Sequence, residues 1–192
     1  TSRYTGFYDA RSGNLTYKDV KYRYSGIELL AVDKALPEIS RVPEQLFGIL
    51  VNEGPSNVKL NRADLIKSWL KDVDYEIFGH WTTGGMQKIA RTVFPIDVKE
   101  VINILRRWRG TITFPASNTG WATAKPWECF AAGTVCFKHP AYDDQGHIYG
   151  KLMPEELKTF LCPPTITGFH RRIEDLKDND TYLKFARMQL DY

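Results

Sequence analysis

The chain has 192 residues, 43% of them hydrophobic and 13% aromatic, which is enough apolar material for a substantial core and is not the composition of a disordered segment. Charged residues make up 26% with a net charge of only +3, so charge alone points to neither a polyanion nor a membrane surface. Three cysteines, Cys129, Cys136 and Cys162, have no CxxC spacing; they indicate neither a disulfide scaffold nor a zinc site and predict a reducing, cytoplasmic setting.

No apolar run approaches the roughly 20 residues that span a bilayer, so no membrane segment is expected. The sequence opens at Thr1 with neither a Met nor a charged-then-apolar leader, which reads as a fragment of a longer protein. Residues 1–44 mix aromatic and polar residues, as in "YTGFYDARSGNLTYKDVKYRYSG", and are expected to form hairpins or an interdomain segment.

From residue 45 the pattern changes to short apolar runs alternating with helical periodicity, the signature of successive βα units. "QLFGILVN" (45–52) is the first expected strand, followed by a helix from Asn61 that places Leu65, Ile66, Trp69 and Leu70 on one face. "YEIFGHW" (75–81) is the second strand. "PIDVKEVINILRRW" (95–108) carries Val98, Val101, Ile102, Leu105 and Trp108 at helical spacing. "GTITFPAS" (110–117) is the third strand, "PWECFAAG" the next helix and "TVCFKH" (134–139) the fourth strand. Two helical stretches close the chain, the second expected to break at 178–180. The expected fold of residues 45–192 is therefore α/β, a Rossmann-like, mainly parallel sheet flanked by helices.

Ligands of such sheets bind beyond the carboxyl ends of the strands, so the loops after each strand are the places to look for chemistry. After the first strand, Gly54 and Ser56 lie at the turn, with Lys59 and Arg62 near a helix start whose free N–H groups favour an anion. After the third strand, Thr123 and Lys125 precede another helix start. These six residues suit a diphosphate. Glu128 falls in that helix's first turn, where the dipole stabilises a carboxylate able to accept from a ribose diol. Ala131, Ala132 and Gly133 allow a close return to the sheet.

The stretch "PWECFAAGTVCF" (126–137), followed by a strand and two terminal helices, resembles the nucleotide-sugar-binding domain of GT-B glycosyltransferases, in a pattern Pro-x-Glu-x-x-Ala-x-Gly-x-x-Val with slightly altered spacing. The resemblance covers about residues 45–192. It implies that Glu128 binds the donor ribose, that Lys59 and Arg62 hold the diphosphate, and that no metal or other cofactor is needed. Retaining members usually carry a second Glu eight positions earlier; here Gly120 stands in that place. His80, Thr119, Gly120 and Trp121 are the residues expected against the donor sugar or base.

The resulting expectation is a glycosyltransferase, or its donor-binding domain, using a nucleotide-diphosphate sugar, with a UDP-sugar favoured. No catalytic residue is assigned, because the acceptor domain of this family is mostly missing from the chain. The acceptor is open; modified DNA, used by some members of phage origin, fits the basic run "RRWRG" (106–110). The alternative is a non-catalytic Rossmann-like module binding nucleic acid or a partner protein through Arg106, Arg107 and Arg109.

Overall fold

The computed structural model describes residues 7–9, 14–17, 20–23, 41–51, 62–79, 98–114, 125–142, 148–150 and 152–192. By internal contacts the chain divides into two units, Thr1–Ala31 and Val32–Tyr192. In the first, β1 (Phe7–Asp9), β2 (Asn14–Tyr17) and β3 (Val20–Arg23) form an antiparallel meander, with Phe7 opposite Thr16 and Leu15 opposite Tyr22. Residues 41–44, grouped with the N-terminal segment in the sequence, belong by contact to the second unit.

In the second unit β4 (Gln45–Leu50), β5 (Glu76–Phe78), β6 (Trp108–Thr113) and β7 (Val135–Lys138) make a wholly parallel sheet in the order β5-β4-β6-β7. Between them lie α1 (Arg62–Trp69), α2 (Val98–Leu105) and α3 (Lys125–Ala132). After the sheet come α4 (Glu155–Leu161), α5 (Ile166–Asp175) and α6 (Asn179–Asp191). This is the Rossmann-like α/β architecture expected from the sequence. A parallel strand covered on both faces must be apolar throughout rather than alternating. Accordingly, Phe47, Gly48, Ile49 and Leu50 are all buried.

Two boundaries differ from the sequence reading, for one reason. The run of apolar residues at helical spacing predicts that the second helix continues to Trp108, but α2 stops at Leu105 and Trp108 begins β6, two residues before the expected strand. Pairing in register with Gln45 of β4 outweighs the local period, and the indole is fully buried with its Nε1 donating to Glu76 Oε2 at 2.9 Å. "RRWRG" is thus a turn and a strand start, and not the last turn of the helix expected over 95–108.

The two central strands fit by exchanging ring for glycine. A Cβ on Gly48 would stand 1.9 Å from the Trp108 ring, and one on Gly110 would stand 3.1 Å from Phe47, its partner in the β4–β6 register. Above Phe47, Phe137 and Phe169 pack face-on and edge-on, with centroids 6.4 and 5.7 Å away, so α5 closes this face.

Helix ends follow their local chemistry. Gly133 takes φ 76° after α3, its N–H donating to Phe130 O, while Thr134 N–H reaches Cys129 O at 2.9 Å, the paired bonds of a Schellman stop. The break expected at 178–180 falls where Asp178 accepts from Thr181 N–H at 2.8 Å and caps α6.

Candidate functional site

All four parallel strands deliver their carboxyl ends to one edge of the sheet. Strand order reverses between β4, whose successor β5 lies on one side, and β6 on the other; open α/β sheets take ligands at such a switch point. Here it lies between the ends of β4 and β6, at Leu50–Val51 and Thr113–Phe114.

Most residues assigned to the site from sequence, namely Gly54, Ser56, Lys59, His80, Thr119, Gly120, Trp121 and Thr123, lie outside the described residues. Arg62 opens α1, the helix that follows β4. Lys125 and Glu128 form the first turn of α3, the helix that follows β6, so both stand at the carboxyl edge. The i, i+3 spacing brings them together: Lys125 Nζ lies 2.6 Å from Glu128 Oε2, and the side chains are 27% and 28% exposed. A carboxylate and an ammonium, partly shielded and at a helix start, can separate to meet a donor and an acceptor, respectively, on one ligand. Trp127, next to Glu128, is committed to packing: its ring stacks on Tyr192 at 6.3 Å and meets Phe130 edge-on at 5.6 Å.

A residue not assigned to the site from sequence stands at the same edge. His139 follows β7, and its backbone N–H donates to Thr113 O at 3.1 Å, beside the end of β6. Its ring is 5% exposed and packs against Trp69 at 4.5 Å and Phe114 at 5.4 Å. Nδ1 accepts from Ala141 N–H at 3.0 Å, whereas Nε2 has no hydrogen-bond partner among the described residues. Burial pushes its pKa down to about 4, so the ring is neutral at pH 7 with its proton on Nε2. The sequence signal was its position as the last residue of the expected fourth strand, 134–139; β7 itself ends one residue earlier, at Lys138. Among the described residues no three His, Cys, Asp or Glu side chains gather as metal ligands.

The basic run lies at the opposite edge, and two of its arginines, Arg107 and Arg109, are engaged within the fold. Arg107 pairs with buried Glu76 at 3.2 Å. Arg109 donates to three backbone carbonyls, Pro43 at 2.9 Å, Leu176 at 3.0 Å and Lys177 at 2.7 Å. A groove of about 420 Å³ is found at this amino edge too. It is lined by Glu44, Asp72, Asp74, His170, Glu174 and Lys177, a mixture of charges remote from the switch point.

The fold and this edge define the protein as a Rossmann-like α/β domain. Its sequence matches no protein-family model and no curated protein. Among the described residues no helix is long and apolar enough to cross a membrane.

Proposed function

We propose that the chain is the donor-binding domain of a glycosyltransferase, taking a nucleotide-diphosphate sugar at the carboxyl edge of the β4–β7 sheet. The observation that carries this reading is the Lys125–Glu128 pair in the first turn of α3, at the edge where Rossmann-like sheets bind nucleotides. A nucleoside diphosphate brings one anion and one vicinal diol. On binding, Lys125 turns to the diphosphate and Glu128 to the ribose hydroxyls, and the N–H groups opening α3 add to the field on the phosphate. In transfer, the same cation and dipole stabilise negative charge growing on the leaving diphosphate. The acceptor and the general base come from outside the described residues.

Thermal-shift titration with UDP, GDP, ADP and dTDP tests the reading. Ligand at about 100 times its dissociation constant stabilises by roughly 2.7 kcal/mol, a clear rise in Tm. Stabilisation by one diphosphate, lost in Glu128→Ala, is the expected result, with UDP the favoured ligand. Indifference of the folded protein to all four nucleotides would sink it.

A further inference from the structure

We infer that His139 contacts the ligand directly, its Nε2–H donating a hydrogen bond to an acceptor oxygen of the bound nucleotide; this rests on the nucleotide-donor reading above. Buried N–H groups in folded proteins are almost always paired, and one left alone calls for a cause. The Nε2 of His139 is such a group: the residue is 5% exposed, and among the described residues Nε2 has no partner. Ring rotation offers no relief. Nδ1 is held by Ala141 N–H, and Trp69 and Phe114 pack against the ring, so the lone N–H keeps its direction.

Its location matches the reading. His139 follows β7 and is tied to Thr113 O at the end of β6, which places it at the carboxyl edge that also carries Lys125 and Glu128. A neutral imidazole N–H recognises an acceptor without demanding a charge. Phosphate oxygens, sugar hydroxyls and base carbonyls all satisfy it, and a ligand supplying one converts an unpaired donor into a paired one. An uncharged donor held rigid before the ligand arrives loses little freedom on binding.

The test is calorimetric titration of the 192-residue chain with UDP, UMP and uridine, comparing wild type, Glu128→Ala and His139→Phe. The Phe variant fills the same space without the N–H. The expected result is a folded His139→Phe protein with an unchanged or higher Tm without ligand and about tenfold weaker UDP binding. The shortest of the three ligands that still shows the loss locates the accepting oxygen. UDP affinity within twofold of wild type in His139→Phe, while Glu128→Ala is weakened, overturns the role of His139 and leaves the donor site standing. Absence of binding by wild type, to these or to GDP, ADP and dTDP, overturns both. Should His139→Phe fail to fold, the imidazole N–H resonance of ¹⁵N-histidine-labelled wild type decides: a shift at saturating UDP supports the contact, and an unmoved resonance refutes it.

Discussion

Gln189 completes the outer edge of β7 by bonding the backbone on either side of Val135: its Oε1 accepts from Cys136 N–H at 2.8 Å, and its Nε2 donates to Thr134 O at 3.2 Å. One side-chain amide thus does what a further strand would do. Tyr149 continues the row, its hydroxyl donating to Cys136 O at 3.1 Å. Edge strands with open N–H and C=O groups invite pairing with other chains, and α6 blocks that by inserting a residue 1% exposed.

Replacing Gln189 by Leu removes both bonds while keeping most of the volume. Two buried backbone groups are then unsatisfied, each costing about 1–3 kcal/mol. The expected loss is about 2–6 kcal/mol in urea unfolding, with a new tendency to self-associate at the exposed edge. A loss under about 0.5 kcal/mol would mean that water reaches this edge and the amide is dispensable.

The ring-for-glycine fit of the central strands makes a graded prediction. Gly48→Ala places a methyl 1.9 Å from the rigid Trp108 indole, which is held in place by Glu76. Gly110→Ala meets first a Leu176 methyl, at 2.9 Å, which can swing aside. Overpacking a filled core costs about 1–3 kcal/mol, so Gly48→Ala belongs at or above the top of that range and Gly110→Ala near the bottom. Equal midpoints in urea for the two variants would show that the sheet, not the side chains, absorbs the strain.

How far the sequence reveals this architecture depends on the kind of interaction involved. β4, β5 and β7 are legible because a strand buried on both faces must be a short apolar run, and "QLFGIL", "EIF" and "VCFK" are such runs. The stop at Gly133 is equally local, since the backbone there needs a positive φ. Trp108 was misread because it continues the spacing of Val101 and Leu105, and only its pairing with β4 assigns it to a strand. Gln189 carried no signal: a Gln on a helix is ordinarily solvated, and its burial depends on an edge 53 residues away. At the site, the sequence brought Lys125 and Glu128 to one helix start as separate residues; that Lys125 lies inside α3 and pairs with Glu128 is seen only in the structure, as is the packing of Trp69 against His139.

His139 also makes a pH prediction. Its pKa falls from 6.5 to about 4 on folding because burial disfavours the imidazolium. Between these values the unfolded chain binds a proton that the native state refuses, so stability falls as pH drops from about 6.5 to 4. At about 1.4 kcal/mol per pH unit, the loss reaches roughly 3 kcal/mol at the lower end. Carboxylates act in the same range, so the comparison is with His139→Phe, which should lose less stability than wild type between pH 7 and pH 4.5. Parallel pH profiles for the two proteins would show that His139 protonates in the native state as easily as in the unfolded one.

Arg109 separates a structural arginine from one that binds nucleic acid. Its three carbonyl contacts join the segment before β4 to the turn after α5, and no ammonium on a single stem reproduces that fork. Arg109→Lys should destabilise by about 1–3 kcal/mol. If the run were instead a polynucleotide site, the substitution would leave stability alone and weaken a salt-dependent affinity for DNA.

The Lys125–Glu128 pair gives the sharpest separation of stability from function. Partly exposed i, i+3 pairs contribute about 0.2–0.5 kcal/mol, so neither Lys125→Met nor Glu128→Gln should move the urea midpoint appreciably. The ligand responses should diverge. If the chain binds a donor as proposed, Lys125→Met removes the cation assigned to the phosphates and should weaken a nucleoside diphosphate more than the nucleoside. Glu128→Gln keeps one acceptor oxygen for the ribose and loses its charge, so it should weaken the ribonucleotide and have little effect on the 2′-deoxy form, which lacks the diol. Measuring UDP, uridine and 2′-deoxy-UDP against both variants therefore assigns each side chain to one part of the ligand. If both variants weaken all three ligands equally, the pair acts only by holding α3 together, and the assignment of Glu128 to the ribose fails.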